Sequence, residues 1–475
     1  MNEIAIDQSA GAMRKALGAM RRAHNMDPNP SYAIRRDRLK RLERCLLENA
    51  DRLVAAISAD FSHRSAVESN NFDVTVPIGD VRFARRNLKR WMRVRKVRTP
   101  KHLLPAHGRI HPQPLGVVGV ISPWNFPVYL TIGPLVTALA AGNRVMIKPS
   151  ELTPRTSEVL HDMIVATFAP DEVAVFTGGP DVASEFSNLP FDHLLFTGST
   201  AVGRKVALAA ANNLTPVTLE LGGKSPAVIT PSADIDLAAR RIAWGKTANA
   251  GQICIAPDYA LVPRSQLDDF VERFASVVKT FYPQGAESAD YTAIISDRHR
   301  ERLISMLDEA EESGAKIIRL AEGKVASGQR KLAPAIVVDP SPSLRLMREE
   351  IFGPILPVIP YDTAKEALNF VTERDRPLAL YVFAQSANDR DFWLKRSISG
   401  GVTVNDTLLH VVFDTLPFGG VGPSGIGAYH GDIGFETFSH MKPVLMQARF
   451  NAGFLFEPPF EGIKTTFVGL LRKII

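Results

Sequence analysis

Short apolar segments alternate with helical segments from Gly116 onward. The strand-like segments are GVVGVIS (116–122), RVMIKPS (144–150), EVAVFTG (172–178) and HLLFTGS (193–199). The helix-like segments are TIGPLVTALAAG (131–142), SEVLHDMIVATF (157–168) and TAVGRKVALAAAN (200–212). Strand–helix alternation with right-handed crossovers predicts a parallel sheet, and such sheets bind ligands at the carboxyl ends of their strands.

The alternation resumes after a glycine-rich break at 221–224. Segments 264–281 and 298–314 have the spacing of amphipathic helices, and 315–320 follows as a strand. This pattern predicts a second α/β domain. Before the first sheet, HGRIHPQP (107–114) is predicted to be extended, because a proline biases the preceding residue towards the β region. A chain of 475 residues is expected to form two or three domains.

Ten lysines and arginines fall between Arg82 and Lys101, although the net charge of the chain is only +6. Such a run is typical of a nucleic-acid or acidic-membrane surface, or of a solvated helix face with Leu88, Trp91 and Met92 on its buried side. No aromatic stacking platform accompanies the charge, so we favour the solvated helix and expect no nucleic-acid partner.

The remaining bulk features favour a cytoplasmic protein. Two cysteines, Cys45 and Cys254, indicate a reducing compartment, and the N-terminus does not resemble a secretory signal. Residues 112–143 lack formal charge but are broken by prolines, so we expect buried elements and no transmembrane segment. The apolar tail 451–475 is predicted to contain a short helix that presents Ile463, Phe467, Leu470, Leu471 and Ile474 on one face. That face would cover the protein itself, a partner subunit or, as a peripheral contact, a membrane surface.

Cys254, in NAGQICIAPDY, is a candidate nucleophile. A lone cysteine is more often a small buried hydrophobe. Here Gly251 permits close backbone approach, and Asn249 and Gln252 are polar residues beside an otherwise apolar predicted strand. Such partly polar, accessible surroundings favour the thiolate, so we expect a lowered pKa for Cys254.

Glu220 and Asn125 are the other two candidates for chemistry. Glu220 ends a predicted strand before a double glycine, where apolar neighbours would raise its pKa towards that of a general base. The alternative for Glu220 is an ion pair with Lys224 or a neighbouring basic residue. Asn125 lies between two prolines and is a candidate oxyanion donor, although an asparagine there is more often a turn residue.

Seven short motifs occur in the order found in the aldehyde dehydrogenase superfamily, which the chain resembles from about residue 35 to 445. They are PWNFP (123–127), KPSE (148–151), FTGSTAVG (196–203), ELGGKSP (220–226), GQIC (251–254), EEIFGP (349–354) and PFGG (417–420). Further segments resemble the class 3 branch, and HRSAVES (63–69) is similar to the bacterial coniferyl aldehyde dehydrogenases within it.

The resemblance implies a role for each candidate. Cys254 would attack the aldehyde, the Asn125 amide and the Cys254 backbone N–H would hold the oxyanion, and Glu220 would activate water to release the acid. A glutamate at position 220 argues against a CoA-acylating relative, and the cofactor motifs argue against a non-redox cysteine acyltransferase or esterase. Retention of all three residues argues against a non-enzymatic scaffold.

The implied cofactor is NAD, with NADP as an alternative, and no metal site is expected. Glu151 would repel a 2′-phosphate, which favours NAD. The glycine-containing turn before residues 200–212 would place helix amides near a pyrophosphate. The residues expected at the cofactor are Lys148, Glu151, Gly198, Ser199, Gly203, Leu221, Glu350 and Phe352.

Aromatic residues near the motifs predict a small-molecule aldehyde substrate that is apolar or aromatic, of coniferyl or fatty type. Phe126, Tyr129, Phe413 and Phe418 are the candidates for a substrate funnel, with core packing as the alternative.

The family fold implies a Rossmann-type parallel-sheet cofactor domain, a second α/β catalytic domain and a bridging β element. The cofactor domain would comprise 1–98 and 116–220, the catalytic domain 221–408 and the bridging element 99–115 and 409–450, before the tail 451–475. Bridging elements of this kind pair across subunits, which implies a homodimer.

Overall fold

A computed structural model of the chain describes residues 9–321 and 328–474. Part of the N-terminal segment considered for a secretory signal lies outside this description, as do the side chains of Leu471 and Ile474 in the tail. The strands in chain order are β1 (Arg95–Val97), β2 (His107–Pro114), β3 (Val117–Ile121), β4 (Arg144–Lys148), β5 (Val173–Val175), β6 (His193–Thr197), β7 (Val217–Glu220), β8 (Pro226–Ile229), β9 (Tyr259–Pro263), β10 (Lys316–Arg319), β11 (Ala335–Val338), β12 (Ile355–Tyr361), β13 (Ala379–Phe383), β14 (Gly401–Val404), β15 (Gly425–Ile426) and β16 (Ser439–Met446).

The α-helices surround these strands on both sides. In chain order they are α1 (Ala10–Met26), α2 (Tyr32–Asp60), α3 (Ala66–Glu68), α4 (Val76–Trp91), α5 (Tyr129–Ala141), α6 (Pro154–Thr167), α7 (Pro180–Ser187), α8 (Thr200–Ala211), α9 (Ile235–Thr247), α10 (Leu267–Phe281), α11 (Asp297–Glu312), α12 (Arg345–Arg348), α13 (Ala364–Thr372), α14 (Ala387–Arg396), α15 (Gly431–Thr437) and α16 (Ile463–Ile474). A π-helix, Ser69–Thr75, separates α3 from α4.

The first parallel sheet has the order β15-β7-β6-β3-β4-β5, with β15 antiparallel to the rest. Its strands β3, β4 and β6 are buried at every position, because helices cover both faces, and this explains their continuous apolar sequences. The helix after β3 ends at Gly142, whose φ of +96° is the left-handed conformation that glycine tolerates best. The mixed α/β fold with parallel sheets that the alternation predicted is therefore confirmed.

A second sheet has the order β10-β11-β12-β9-β8-β13-β14 and is parallel apart from β10. The third is an antiparallel sheet of β1, β2 and β16, in which β2 has the bounds of the predicted extended segment. In β16 the side chains are mostly exposed, including Leu445 and Met446. Within this chain the third sheet therefore leaves apolar surface in contact with solvent.

The basic run forms the C-terminal part of α4 and the segment after it. Leu88 and Trp91 are buried and Met92 is half-buried, as expected for the inner side of a solvated helix. Arg82 and Arg85 both pair with the carboxylate of Glu43. Part of the basic charge is thus neutralised within the chain.

The tail ends in α16, a helix of 12 residues on which Ile463 and Leu470 are exposed. Phe456 and Phe467 pack edge to face, with ring centroids 5.7 Å apart. Within residues 9–321 and 328–474, no helix has the length and apolar character needed to cross a membrane.

A buried ion pair joins the segment around α3 to the start of α5. Arg64 and Asp73 have fully buried side chains, with Nη2 and Oδ2 3.0 Å apart. The other oxygen of Asp73 accepts from the backbone N–H groups of Val128 and Tyr129 at 3.0 and 3.2 Å. Arg64 also donates to the carbonyl oxygen of Asn125 at 2.9 Å. The pair therefore fixes the loop that carries Asn125 as well as the helix that follows it.

We expect Arg64→Leu to destabilise the protein strongly, because Asp73 would remain buried without its cation. Breaking a buried pair in this way costs about 3–5 kcal/mol. The matched control is Arg264→Leu, since Arg264 pairs with Asp362 while both side chains are more than half exposed, and such pairs contribute less than about 1 kcal/mol. Thermal unfolding measures the difference, and equal midpoints for the two variants would contradict the assignment.

Candidate active site

The carboxyl ends of β3, β6 and β7 bring three loops of the sequence motifs to one edge of the first sheet. A cavity of about 240 Å³ lies at this edge. It is lined by Pro123, Trp124, Asn125, Leu130, Thr197, Gly198, Ser199, Glu220, Gly222, Cys254, His299, Arg302, Glu350 and Phe352. The three candidates for chemistry thus share one cavity with four of the residues expected at the cofactor.

Cys254 lies in a loop and not in the predicted strand, which begins only at Tyr259. The loop follows a turn in which Asn249, Ala250 and Gly251 have φ values of +47°, +51° and +73°. Non-glycine residues in this conformation cost about 1–3 kcal/mol each, so surrounding contacts must hold the turn. A Cβ at Gly251 would overlap the carbonyl oxygen of Gly353, so only glycine fits there. The strand prediction was wrong because apolar residues in a buried loop have the same composition as a strand.

The thiol of Cys254 is held in its neutral form. Burial, together with the charges of Glu350 and Glu220, raises the pKa of Cys254 to about 12, and the backbone N–H groups of Cys254 and Ile255 oppose this rise. The expected lowering of this pKa is therefore wrong, because Asn249 and Gln252 use their amides in hydrogen bonds of the loop. A base is needed to remove the proton from this thiol.

The carboxylate of Glu220, at the end of β7, has no counterion among the described residues. Its side chain is 2% exposed, and neither carboxylate oxygen has a hydrogen-bond partner among the described residues. Burial raises the pKa of Glu220 well above its usual value. The alternative of an ion pair with Lys224 is wrong, because Lys224 pairs with Asp258 and donates to the carbonyl oxygen of Leu346 at 2.8 Å.

Both the side chain and the backbone carbonyl of Asn125 are hydrogen-bonded. Its side-chain Nδ2 donates to the carbonyl oxygen of Gln252 at 3.1 Å, two residues before Cys254. Its own carbonyl oxygen accepts from Arg64 and from Nδ2 of Asn249, the latter at 3.1 Å. The Asn125 loop and the Cys254 loop are therefore hydrogen-bonded to each other, with the Asn125 amide on the wall of the shared cavity.

Ser199 caps the N-terminus of α8, where its hydroxyl accepts from the N–H of Val202 at 3.4 Å. Gly198 and Ser199 line the cavity, while Gly203 and Leu221 pack against each other, since a Cβ at Gly203 would collide with Leu221. Because helix N-terminal amides attract anions, this turn fits the phosphates of a dinucleotide.

Glu350 approaches the double-glycine turn after β7. A Cβ at Gly222 would overlap its carboxylate, and the N–H of Gly223 hydrogen-bonds it. Burial and the charge of Asp258 raise the pKa of Glu350 to about 8. Phe352 lies edge-on to Trp124, with ring centroids 5.3 Å apart.

Lys148, the last residue of β4, and Glu151 after it lie further along the same sheet edge and are not among the described residues that line the cavity. The Nζ of Lys148 pairs with Glu151 at 3.1 Å and donates to the carbonyl oxygen of Pro149 at 3.0 Å. The lysine is buried, whereas 40% of the Glu151 side chain is exposed.

A second, apolar cavity of about 70 Å³ meets the first at Leu130, Thr197, Glu220 and Cys254. Its other lining residues are Phe72, Val76, Phe126, Tyr129, Trp244, Ile253, Ile255, Leu408, Leu409, Val411, Val412, Phe418 and Tyr429. The nucleophile and base candidates therefore lie where a cavity that contains several polar and charged side chains joins an apolar cavity.

Three of the four residues expected in a substrate funnel, Phe126, Tyr129 and Phe418, line this cavity. Phe413 does not line it, and its side chain is 57% exposed. Phe413 follows the 3₁₀ turn Leu409–Val412, and three residues of this turn, Leu409, Val411 and Val412, line the cavity instead. The prediction for Phe413 is wrong, because the turn rotates successive side chains to different sides.

His299 and Arg302 were not found from the sequence. Both lie on α11, where an amphipathic pattern indicates only a surface helix. His299 lies edge-on to Trp124 at 5.3 Å, and Arg302 donates to the carbonyl oxygen of Glu350 at 3.2 Å. Their spacing of three residues, which places them on one helix face, was the available signal.

A model of the aldehyde dehydrogenase family matches residues 4–444, and the chain belongs to that family. It is accordingly an enzyme that oxidises aldehydes to acids with a nicotinamide dinucleotide.

Named relatives and solved structures agree with this assignment. The probable coniferyl aldehyde dehydrogenase of Pseudomonas aeruginosa is 48% identical over 95% of this chain and 94% of its own length. Aldehyde dehydrogenase family 3 member A2 of Mus musculus is 41% identical over 92% of this chain and 88% of its own, which confirms the likeness to class 3.

Among solved structures, Staphylococcus aureus AldH in a substrate-bound state superposes with a TM-score of 0.92 at 35% identity, covering 99% of this chain and 100% of its own. The indole-3-acetaldehyde dehydrogenase AldA of P. syringae, in complex with NAD+ and IAA, gives 0.83 at 25% identity, covering 92% and 89%.

We expect Glu350→Gln to make Cys254 more reactive at high pH. The Glu350 carboxylate raises the pKa of the thiol, but only when it is ionised, which requires a pH above about 8. Alkylation of Cys254 by iodoacetamide should therefore be faster than in wild type well above that pH and unchanged well below it.

The control for this prediction is Glu349→Gln, the exposed neighbouring carboxylate. Mass spectrometry of the peptide that carries Cys254 gives the alkylation rate. Slower alkylation of Glu350→Gln at high pH would show that Glu350 does not act on the thiol through its charge.

Proposed function

We propose that the enzyme oxidises apolar and aromatic aldehydes of the coniferyl type, with Cys254 as nucleophile, Asn125 as oxyanion donor and Glu220 as general base. The observation that carries the proposal is the position of Cys254 and Glu220 on the wall shared by both cavities. An aldehyde in the apolar cavity would meet the thiol at the point where a cofactor in the other cavity is accessible.

In the first step the sulfur of Cys254 attacks the aldehyde carbon, and its proton passes to water. The π electrons of the carbonyl bond move to oxygen, giving a thiohemiacetal oxyanion. The Asn125 amide and the Cys254 N–H stabilise this charge. Because the Cys254 thiol is neutral, it must give up its proton as the sulfur approaches the carbon, and Glu220 remains unprotonated for the hydrolysis step.

A nicotinamide held in the first cavity would accept a hydride from the thiohemiacetal carbon, which would leave a thioester on Cys254. Glu220 then removes a proton from water as the water oxygen bonds to the acyl carbon, and the carbon–sulfur bond breaks to release the acid. The buried carboxylate at position 220 supports hydrolysis over transfer of the acyl group to CoA, and the cofactor cavity supports redox chemistry over a cysteine esterase.

The cofactor cavity fits a dinucleotide through its helix N-terminus and its glycine turn. Gly198 and Ser199 would face the phosphates, Glu350 the nicotinamide ribose, and Lys148 with Glu151 the adenine ribose. Phe352 would lie beside the nicotinamide, and Gly203 and Leu221 would let α8 approach the sheet. The exposed carboxylate of Glu151 would repel a 2′-phosphate, which favours NAD over NADP.

The substrate class follows from the walls of the second cavity. Phe126, Tyr129 and Phe418 contribute aromatic faces, and the cavity's ionisable lining residues, apart from tyrosine, are confined to its junction with the first. Apolar and aromatic substrates match such walls. The 48% identity to a relative named as a probable coniferyl aldehyde dehydrogenase supports the same class.

We also propose a cytoplasmic homodimer with the domain division given above: 1–98 with 116–220, 221–408, and 99–115 with 409–450. The exposed apolar residues of β16 support pairing of the third sheet with a second subunit. The tail 451–475 would cover a subunit or make a peripheral membrane contact.

Replacing Cys254 and Glu220 separates the two halves of the mechanism. Cys254→Ala should abolish aldehyde oxidation while the affinity for NAD, measured by titration of protein fluorescence, stays within about twofold of wild type. Glu220→Gln should accumulate an acyl-enzyme detectable by intact-protein mass spectrometry. Appreciable turnover by Cys254→Ala would exclude the mechanism, and unchanged steady-state turnover would exclude Glu220 as the base.

The substrate class is tested by absorbance at 340 nm with NAD or NADP and a panel of aldehydes. We expect kcat/KM to be highest for cinnamaldehyde-type, benzaldehyde-type or long-chain compounds, because each CH₂ buried in the apolar cavity contributes about 0.8 kcal/mol. Short aliphatic aldehydes and dicarboxylic semialdehydes are the controls. A preference for either control class would contradict the substrate assignment.

A further inference from the structure

The turn that carries Cys254 is strained, and one side chain from a distant part of the sequence holds it. Asn249 and Ala250 adopt left-handed backbone conformations without being glycine. The backbone N–H of Asn249 hydrogen-bonds both carboxylate oxygens of Glu68, each at 3.1 Å. Glu68 lies 181 residues away, at the C-terminal end of α3. A strained turn persists only where its surroundings determine it, and Glu68 supplies a charged acceptor at this point.

The same turn organises the candidate oxyanion site. The side-chain amide of Asn249 donates to the carbonyl oxygens of both Asn125 and Gln252, each at 3.1 Å. The Gln252 carbonyl also accepts from Asn125, whose side chain is the proposed oxyanion donor. Movement of Asn249 would therefore displace the Cys254 loop and the Asn125 loop together.

The backbone after the turn also acts on the thiol. The N–H groups of Cys254 and Ile255 hydrogen-bond the sulfur and favour its ionised form. If the turn relaxed, these two donors would no longer be aimed at the sulfur. The thiolate would then be harder to form.

We propose that Glu68 is a positioning residue for aldehyde oxidation: its carboxylate holds Asn249 so that the Cys254 sulfur, its backbone donors and the Asn125 amide face one another. The inference rests on the proposed roles of Cys254 and Asn125. Glu68 itself lines neither of the two cavities as far as the described residues show, so it acts through Asn249 and does not touch substrate or cofactor.

The test compares four variants. Glu68→Ala removes the acceptor, and Glu68→Asp shortens it by one methylene while keeping its charge. Glu68→Gln keeps an oxygen that can accept from Asn249. The matched control is Thr292→Val. The Thr292 hydroxyl donates to the same carboxylate at 2.9 Å, but this hydrogen bond does not include Asn249.

We expect Glu68→Ala to lower kcat by about 100-fold, because a displacement of about 1 Å in a catalytic group has an effect of that size. The KM for aldehyde and the affinity for NAD should stay within about twofold, since neither cavity loses a wall. Alkylation of Cys254 should slow by about tenfold or more at a fixed pH below the thiol pKa, because the thiolate is the reactive form. Glu68→Gln should restore most of the kcat, and Thr292→Val should resemble wild type.

The proposal would be overturned if Glu68→Ala kept the kcat and the alkylation rate of wild type. It would also be overturned if kcat fell equally in Glu68→Ala and Glu68→Gln. If Glu68→Ala does not fold, Glu68→Asp decides: a fall in kcat at unchanged KM supports the proposal, and wild-type kcat overturns it. Failure of the proposed function has a different signature. Wild-type enzyme that keeps its turnover after complete alkylation of Cys254 would exclude Cys254 as nucleophile, whatever the Glu68 variants do.

Discussion

Removal of Glu220, and of most of Cys254, from contact with solvent is the constraint on which the site depends. Both groups lie where two cavities join, and burial raises the pKa of each. The charge of Glu220 also raises the pKa of Cys254, so the thiol of the unliganded enzyme keeps its proton. Attack on the aldehyde then requires that the thiol lose its proton as the substrate arrives. A carboxylate without a counterion is a stronger base than one in an ion pair, because the opposite charge lowers the carboxylate pKa.

Loops that hold such groups must be fixed by contacts other than those of the reacting atoms. In this chain a short segment before α4 supplies them: Arg64 binds the Asn125 carbonyl, Asp73 caps the start of α5, and Glu68 binds the Asn249 turn. The same segment belongs to HRSAVES and the π-helix after it. Residues 63–69 of this segment support the site without lining either cavity, whereas Phe72 in the π-helix lines the apolar cavity.

The sequence was sufficient for the regular elements and for the residues that repeat a local motif. Strand β2, helix α5 and the end of α5 at Gly142 could be predicted from the positions of proline, glycine and apolar residues. The effects of these residues on the backbone extend over only a few positions. Gly198 and Ser199 could be placed for the same reason, because a turn between a parallel strand and a helix has one position in the fold.

The failures have a common cause, which is contact between distant segments. The pKa of Cys254 was predicted to be lowered by the polar residues beside it, but those amides are used within the loop. Burial by other elements, with the charges of Glu350 and Glu220, raises this pKa instead. For the same reason His299 was missed and Phe413 was wrongly placed in the substrate funnel. The pattern along a helix or turn does not show which side meets a cavity. Composition near a residue therefore predicts its solvation only when its neighbours in space are also its neighbours in sequence.

The effect of the Glu220 charge on Cys254 also determines how the Glu220→Gln variant should be interpreted. Its carboxylate raises the pKa of Cys254, so replacing it with glutamine makes the thiolate easier to form. A weaker nucleophile therefore cannot account for impaired turnover in that variant. If thiol alkylation is as fast as in wild type or faster while turnover falls, the lost function is proton transfer. Slower alkylation would instead mean that the carboxylate is needed to take the thiol proton, and its role would begin before hydrolysis.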